Sequence, residues 1–431
     1  MPVDTVTRSD LDTVVHAEPR EPARPTRGPR LIALLGPAMV AGVAYLDPGN
    51  VASNMTAGAT FGFMLVWVVV LGNVTAWLIQ YLSAKLGLVT RRSLADLLGE
   101  RIGSTWARRL YWLQAELVAM ATDIAEVIGG AIALSLLFDL PLLLGGVITG
   151  GVSLVILILQ GAGRQKTFER VLISMLLIIV IGFSAGVVVR PPDAGSALAG
   201  LVPRFDGASS VLLAASILGA TIMPHAIYAH SALTRDRFRL RSAAQTTRRL
   251  LQATRWDVTI ALVVAGSVNL AILLIAATSL NGVAGTNSLE GAHAAIAGAM
   301  GGIVATAFAV GLLASGLAST SVGAYAGGEI MHGLLRVRVP LVVRRLVTLL
   351  PALIILAVGF DPTHALILSQ VALSFGIPFA LVPLVWLTSR RELMGTFVNR
   401  RLTTAAGALA ATGLITLNVT LLVLTATSGT A

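Results

Sequence analysis

The sequence predicts an all-α polytopic membrane protein with eleven transmembrane helices. Of its 431 residues, 55% are hydrophobic and only 12% are charged, and the mean hydropathy is +0.84. Apolar runs of about twenty residues, the length at which an α-helix crosses a bilayer, recur along the whole chain. Lysine and arginine are concentrated in alternate connections between these runs, which is typical of membrane proteins with a fixed orientation. These observations exclude a soluble protein.

The eleven apolar runs account for most of the chain. The predicted spans are residues 31–59, 62–84, 110–137, 141–160, 169–190, 209–234, 257–280, 295–333, 341–360, 363–388 and 402–426. Of the 31 lysines and arginines, 29 lie in the N-terminal tail or in connections on its side of the membrane, and only Arg190 and Arg204 lie on the other side. Because basic loops stay in the cytoplasm, we expect a cell-membrane protein with a cytoplasmic N-terminus and an external C-terminus. The basic loops are expected to contact anionic lipid.

The composition also excludes several classes of protein. Residues 1–30 are rich in proline, arginine and glutamate, which predicts a disordered cytoplasmic tail and not a signal peptide. The isoelectric point of about 11.0 does not indicate nucleic-acid binding, because the basic residues flank the spans. The chain has no cysteine, so disulfides, thiolate metal sites and cysteine nucleophiles are excluded. It also lacks H-E-x-x-H, G-x-S-x-G and Gly-Lys motifs, so we expect no enzyme activity.

The first span contains a helix break together with a charge. Its middle reads Asp47-Pro48-Gly49-Asn50. Pro48 supplies no N–H to the carbonyl of Ala44, and the residue before a proline is disfavoured in the α conformation. An aspartate at the bilayer centre costs about 3 kcal/mol on insertion scales. Discontinuous helices of this kind hold the substrate sites of transporters, although a buried structural charge is the alternative.

The sixth span contains a second break, at Met223-Pro224-His225. Pro224 frees the carbonyl of Ala220 as Pro48 frees that of Ala44. Five spans per unit is an odd number, so spans 1–5 and 6–10 would have opposite orientations in the membrane. The sequence therefore predicts inverted repeats over 31–190 and 209–388, with 402–426 as an additional span.

The groups at the two breaks match a transition metal ion. They are the Asp47 carboxylate, the Asn50 amide, the Ala220 carbonyl, the Met223 thioether and, as a further candidate, His225. Oxygen donors alone suit Mg²⁺ or Ca²⁺. A thioether favours softer divalent ions such as Mn²⁺ or Fe²⁺, unless Met223 only fills space. In span 10, Gln370 could complete the shell or form an interhelical hydrogen bond.

The third span carries three carboxylates near one helical face: Glu116, Asp123 and Glu126. Such groups do not face lipid. They form either a proton route or structural ion pairs with arginines, for which Arg237, Arg344 and Arg345 are the candidates. His225 titrates near neutral pH and could connect the metal site to this stripe, or it could be a structural histidine. His230 is interpreted as a gate or solvated residue and not as a ligand.

Four stretches resemble one known family. They read AYLDPGNVASNMTAGATFGF, AELVAMATDIAEVIGGAIAL, GATIMPHAIYAHSAL and LILSQVALSFGIPFALVPL. Over about residues 31 to 426 the chain resembles the natural resistance-associated macrophage protein (NRAMP) family of proton-coupled manganese and iron transporters. The resemblance implies a leucine-transporter-type fold with 5+5 inverted repeats and broken helices 1 and 6.

The resemblance also implies roles for particular residues. The implied metal ligands are Asp47, Asn50, the Ala220 carbonyl, Met223 and Gln370. The implied proton route comprises Asp47, His225, Glu126, Asp123, Glu116, Arg237 and Arg345. Two positions depart from the family pattern: Ala226 replaces a usual asparagine, and Ala326-Gly327-Gly328-Glu329 stands where a glutamine is common.

The predicted function is proton-coupled import of Mn²⁺, and also of Fe²⁺ and Cd²⁺, by alternating access. These ions and protons are the expected partners, the metal being substrate, and no resident cofactor is expected. A sodium-coupled amino-acid symporter of the same fold is one alternative. A membrane-embedded enzyme and a passive metal channel are the others.

Overall fold

The computed structural model describes residues 37–161, 165–238, 244–337 and 339–428. In these ranges the chain is helical, without strands, and the predicted tail at 1–30 lies outside them. The helices are α1 (Pro37–Ala44), α2 (Pro48–Phe61), α3 (Val66–Thr90), α4 (Leu94–Arg101), α5 (Thr105–Phe138), α6 (Leu142–Gly161), α7 (Gln165–Val189), α8 (Ala194–Ala199), α9 (Gly207–Ile222), α10 (Pro224–Phe238), α11 (Ala244–Ser279), α12 (Leu289–Met300), α13 (Gly302–Leu335), α14 (Leu341–Val358), α15 (Pro362–Thr388), α16 (Arg391–Met394) and α17 (Arg401–Ser428).

The helices fit the lengths and compositions of membrane spans. Within the described ranges, eight helical stretches are long and apolar enough to cross a bilayer. One of them runs from Pro48 to Thr90, because α2 and α3 are joined only by a short 3₁₀ turn. The all-helical architecture is confirmed and indicates a multi-pass membrane protein, whereas the count of eleven spans stays a prediction.

Several predicted boundaries differ from the observed ones. The predicted span 295–333 combines two helices, because α12 ends at Met300 and α13 begins at Gly302. Gly301 between them has φ 93°, a conformation that interrupts a helix and that glycine adopts readily. The predicted span 257–280 begins earlier, since α11 starts at Ala244 and includes basic residues. Hydropathy reports only the apolar part of a helix, so it misses such polar extensions.

The core lies where α5, α13 and α15 meet α2, which begins at Pro48, and α9, which ends just before Pro224. α5 packs along α13, α15 packs against α9 and α5, and α2 packs against α11. Backbone approach is close at glycines: a Cβ atom on Gly129 of α5 would lie 2.0 Å from Pro48, and one on Gly219 of α9 would lie 2.0 Å from the carbonyl oxygen of Gln370. Glycine on one side of each contact therefore lets α2 pack closely against α5, and α9 against α15.

The short helix α4 connects three parts of the fold. Ser93 and Asp96 form a capping box at its start. The Nη1 atom of Arg235, in α10, lies 2.7 Å from Asp96 Oδ2, and its Nη2 atom lies 3.0 Å from Glu329 Oε2 in α13. Burial alone would raise the pKa of Asp96, but the hydrogen bonds from Ser93 and the Arg235 guanidinium lower it below its ordinary value. Sequence analysis did not predict α4 or single out Arg235.

The contact between α4 and α13 provides a test of this packing. A Cβ atom on Gly99 would lie 2.0 Å from the carbonyl oxygen of Gly333, and backbone cannot move aside as a flexible side chain can. We expect Gly99→Ala to destabilise the protein by about 1–3 kcal/mol. Thermal unfolding in detergent measures the effect. Gly151→Ala is the control, because a Cβ atom there meets nothing within 4 Å; equal unfolding temperatures for the two variants would contradict the assignment.

Candidate metal site

The first part of the site is the interval between α1 and α2. α1 ends at Ala44, and α2 begins at Pro48, which needs no N–H partner at the first helical position. Asp47 is the N-cap of α2, with extended backbone, and its Oδ1 atom accepts a hydrogen bond of 2.8 Å from the N–H of Asn50. The carboxylate therefore lies at the helix N-terminus, where negative charge is stabilised.

The second part is the interval between α9 and α10. α9 ends at Ile222 and α10 begins at Pro224. Met223, between them, has φ 39° and ψ 100°. A positive φ is uncommon for any residue other than glycine and is maintained only where the surroundings enforce it. This backbone conformation separates the two helices and places the Met223 side chain in the buried core.

Side-chain hydrogen bonds join the two intervals to α15. The Nδ2 atom of Asn50 donates to Asp47 Oδ1 at 2.8 Å and to the Ala220 carbonyl oxygen at 2.9 Å. The Nε2 atom of Gln370 donates to Asp47 Oδ2 at 3.1 Å. Asp47, Asn50, Ala220, Met223 and Gln370 are all buried. Of the five residues that sequence analysis named as metal ligands, Asp47 and Met223 therefore lie in the two intervals, Asn50 and Ala220 lie in the helix turns that border them, and Gln370 lies in the part of α15 that packs against them.

The unpaired atoms of this site are oxygens. Asn50 Oδ1 and Gln370 Oε1 are buried and have no hydrogen-bond partner among the described residues. A buried acceptor without a partner costs about 1–3 kcal/mol, which a cation would remove. The described ranges contain no group of three or more histidine, aspartate or glutamate side chains that could hold a metal. Ligation here would therefore use one carboxylate together with amide, carbonyl and thioether groups.

Two residues that sequence analysis missed hold the first interval in place. The Nδ2 atom of Asn269, in α11, donates to the carbonyl oxygen of Tyr45 at 3.0 Å. The hydroxyl of Ser315, in α13, donates to the carbonyl oxygen of Leu46. Both carbonyls belong to residues outside the helical hydrogen-bond pattern. Asn269 is a polar residue in the middle of an apolar span and could have been found on that ground, whereas serine in a span carries no such signal.

The carboxylates of α5 lie beside a buried arginine. Nη1 of Arg345, in α14, lies 2.5 Å from Asp123 Oδ1 and 3.8 Å from Glu126 Oε2. Arg345 is only 1% exposed, and both Glu126 carboxylate oxygens lack a hydrogen-bond partner among the described residues. With both carboxylates ionised, this cluster of one arginine and two carboxylates has a net charge of −1.

A second ion pair continues toward the N-terminal end of α5. Nη2 of Arg344 lies 2.9 Å from Glu116 Oε1. A Cβ atom on Gly327 would lie 1.8 Å from this guanidinium, so the glycine makes room for Arg344. The stretch Gly327-Gly328-Glu329 belongs to one of the departures from the family pattern. Its Gly327 leaves space for Arg344, and its Glu329 forms an ion pair with Arg235.

The histidines and the remaining arginine occupy different places. His225 Nδ1 lies 3.2 Å from the Thr122 hydroxyl, one residue from Asp123 in α5. His230 is buried, with Nδ1 2.9 Å from Gln80 Oε1 in α3, so it is not a solvated residue. Arg237 lies in the last turn of α10 with an exposed side chain. Ala226 is buried in the core, where an asparagine would need polar partners.

Comparison with a distant solved structure defines the fold. The structure of MhsT in complex with L-phenylalanine has a TM-score of 0.60 at 13% sequence identity, over 92% of this chain and 98% of that one. At this identity the similarity shows the fold alone. The chain therefore shares the fold of MhsT, and two proline-interrupted intervals face each other in its core.

Closer relatives identify the family. The family model described as natural resistance-associated macrophage protein-like (Nramp) matches residues 38–424. The divalent metal cation transporter MntH of Mycobacterium tuberculosis is 58% identical over 394 residues, which are 91% of this chain and 92% of that protein. A manganese transporter of Eremococcus coleocola has a TM-score of 0.80 at 33% identity, over 90% of this chain and 85% of that one. The chain belongs to the Nramp family, whose members matched here are transporters and not enzymes.

The support of the first interval by Asn269 can be tested by metal binding. We expect Asn269→Ala to free the Tyr45 carbonyl and loosen Asp47, lowering Mn²⁺ affinity by about tenfold, which corresponds to ~1.4 kcal/mol. Isothermal titration of the purified protein measures the affinity. Asn281→Ala is the matched control, because Asn281 Nδ2 donates to the Ala59 carbonyl at 3.0 Å, away from the site. An unchanged affinity in Asn269→Ala would exclude this positioning role.

Proposed function

We propose that the protein imports divalent transition metal ions, Mn²⁺ and also Fe²⁺ and Cd²⁺, into the cytoplasm together with protons. One observation carries the proposal: Asp47, Asn50 and Gln370 form one buried cluster of hydrogen bonds with the Ala220 carbonyl, and Met223 lies beside it in the second interval. The relationship to transporters named for manganese and divalent metal cations supports it. The metal ion is the substrate, and the proposal requires no resident cofactor.

Metal entry would require the two amides to turn. Asn50 and Gln370 now direct N–H groups at the Asp47 carboxylate. A cation needs oxygen atoms, and rotation about the last side-chain bond would present Asn50 Oδ1 and Gln370 Oε1 instead. The thioether of Met223 would then add the soft ligand that favours transition ions over Ca²⁺ or Mg²⁺.

Protons would leave along α5. Metal binding and protonation compete for the oxygens of Asp47, which provides a physical reason for coupling. The proposed route runs from Asp47 by His225 to Glu126 and Asp123, and from there toward Glu116 with Arg345 and Arg237. With both carboxylates ionised, the cluster around Arg345 has a net charge of −1, which suits it to hold a proton and pass it on.

Alternating access would use the two proline positions as hinges. In this proposal 31–190 and 209–388 are inverted repeats of five spans, helices 1 and 6 are the broken ones, and 402–426 is the eleventh span. The half-helices α1 and α10 lie on the cytoplasmic side, and their movement opens the site inward. The N-terminus is cytoplasmic, the C-terminus is external, and the basic loops face anionic lipid.

A sodium-coupled amino-acid symporter is the alternative that shares the fold. Such a protein presents backbone N–H groups to the carboxylate of its substrate. Here the buried Asp47 carboxylate occupies the N-terminus of α2 and accepts the N–H of Asn50. A substrate carboxylate would be repelled at this position, so the observed geometry favours a cation.

The first test concerns selectivity. We expect Met223→Ala to weaken Mn²⁺ and Cd²⁺ uptake by about tenfold and to relax the rejection of Ca²⁺ and Mg²⁺, because the soft ligand is lost. Uptake into proteoliposomes across a series of divalent ions measures both effects. Met55→Ala is the control, since Met55 is also buried but lines an apolar cavity with Phe183 and Ile272. Unchanged selectivity would remove Met223 from the ligand set.

The second test concerns protons. We expect Asp123→Asn to reduce metal-driven proton entry at least tenfold while Mn²⁺ binding persists, because Asp47 and Met223 remain. A pH-sensitive dye inside the liposomes reports proton entry, and radioactive manganese reports metal entry. Glu100→Gln is the control, since Glu100 forms an exposed pair with Arg92. If proton entry per metal ion is unchanged, the route through Asp123 is wrong.

A further inference from the structure

Two arginines lie over one exposed tryptophan, Trp386, near the end of α15. The Cζ atom of Arg390 lies 4.7 Å from the centre of the Trp386 ring, and that of Arg101, the last residue of α4, lies 5.8 Å from it. Trp386 is 43% exposed. Each guanidinium is attracted electrostatically by the face of the ring. The two cations nevertheless repel each other, so the arrangement favours a shared anion.

No carboxylate of the described ranges provides that anion. Neither Arg101 nor Arg390 forms an ion pair in the part of the chain that the structure describes. Glu100, beside Arg101, is engaged by Arg92 at 2.5 Å. Glu392, which follows Arg390 closely in sequence, forms no ion pair within the described ranges. The position between the two guanidinium groups is therefore open to an anion from outside the chain.

A second tryptophan lies at a similar depth on the neighbouring helix. Arg109 Cζ lies 5.5 Å from the centre of the Trp106 ring, near the start of α5. The Tyr111 and Phe379 rings are 6.4 Å apart, and the Tyr111 hydroxyl donates to the Phe379 carbonyl, so α5 and α15 are adjacent there. At a rise of 1.5 Å per residue, Trp106 is about 7.5 Å below Tyr111, and Trp386 is about 10 Å below Phe379.

Exposed apolar side chains extend away from both tryptophans. On α5, Leu110, Leu113 and Leu117 follow Trp106 at helical spacing and are exposed. On α15, Phe379 and Val382 precede Trp386 in the same way and are exposed. Tyr111, which meets α15, lies on a different face of α5 from Leu110, Leu113 and Leu117, so the two helices carry separate apolar strips. One tryptophan–arginine cluster lies at the corresponding end of each strip.

We propose that the α15 strip, together with Arg101 and Arg390, binds one anionic phospholipid of the cytoplasmic leaflet. Its phosphate lies between Arg101 and Arg390 over Trp386, and an acyl chain lies along Val382 and Phe379. Tryptophan and arginine at headgroup depth, above an apolar face, match an amphipathic ligand. A free phosphate ion would not use the strip. The assignment to the cytoplasmic leaflet rests on the orientation proposed above.

Native mass spectrometry of the detergent-purified full chain tests the site. The probes are phosphatidylglycerol, phosphatidylcholine with the same acyl chains, and inorganic phosphate. At about 1 kcal/mol per arginine, we expect the double variant Arg101→Gln, Arg390→Gln to bind phosphatidylglycerol on the order of 25-fold more weakly. The matched control is Arg190→Gln with Arg204→Gln, which removes two exposed arginines elsewhere and should leave the affinity unchanged.

Several outcomes would overturn the proposal. They are equal phosphatidylglycerol affinity in the double variant and wild type, equal affinity for phosphatidylcholine, and displacement of the lipid by equimolar inorganic phosphate. If the double variant does not fold, Arg390→Gln alone should show a loss of about fivefold, and no loss would refute the site. Lipid affinity is measured without transport, so failure here leaves the proposed metal import untouched, and the reverse also holds.

Discussion

The hydrogen bonds around the Asp47 carboxylate are the interaction on which the core of this protein depends. Prolines at two positions deprive helices of backbone hydrogen bonds, and a membrane interior supplies no water to replace them. Every freed group must then find a partner inside the protein. Asn50 meets this need twice, by donating to Asp47 and to the Ala220 carbonyl, and Gln370 binds the same carboxylate from α15. One set of hydrogen bonds thus holds together the start of α2, the end of α9, the helix α15 and the candidate ligands.

The charges of α5 are arranged by the same requirement. A buried ion is tolerated when it is paired and hydrogen-bonded. Arg345 meets Asp123, Ser153 and Thr320, while the nearby Glu126 carboxylate lacks hydrogen bonds among the described residues. The Thr122–His225 contact brings α10, which begins at the second proline position, against this helix. The candidate metal site and the carboxylates of α5 are therefore linked through α10, so a movement of this half-helix would affect both.

Much of the site could be predicted from the sequence because its residues lie beside prolines. The helix boundaries at Ala44 and Pro48 and at Ile222 and Pro224 follow from backbone chemistry that acts within four residues. The pairing of Arg344 and Arg345 with α5 could be expected because membrane carboxylates need cations, yet hydropathy could not tell which arginine meets which carboxylate. Asn269, Ser315 and Arg235 went unpredicted as contributors, since their partners lie between about 90 and 270 positions away in the chain.

By itself, the sequence determined the class of this protein: a helical membrane chain of the Nramp type, with an aspartate and a methionine each beside a proline. Those properties depend on hydropathy, local backbone chemistry and short motifs. Only the tertiary structure decided which groups meet. It assigned Asn269 and Ser315 to the Tyr45 and Leu46 carbonyls, placed α4 between α10 and α13, and brought Arg101 and Arg390 to one ring. Contacts of this kind depend on how helices pack, and packing is set by close approach of surfaces that lie far apart in sequence.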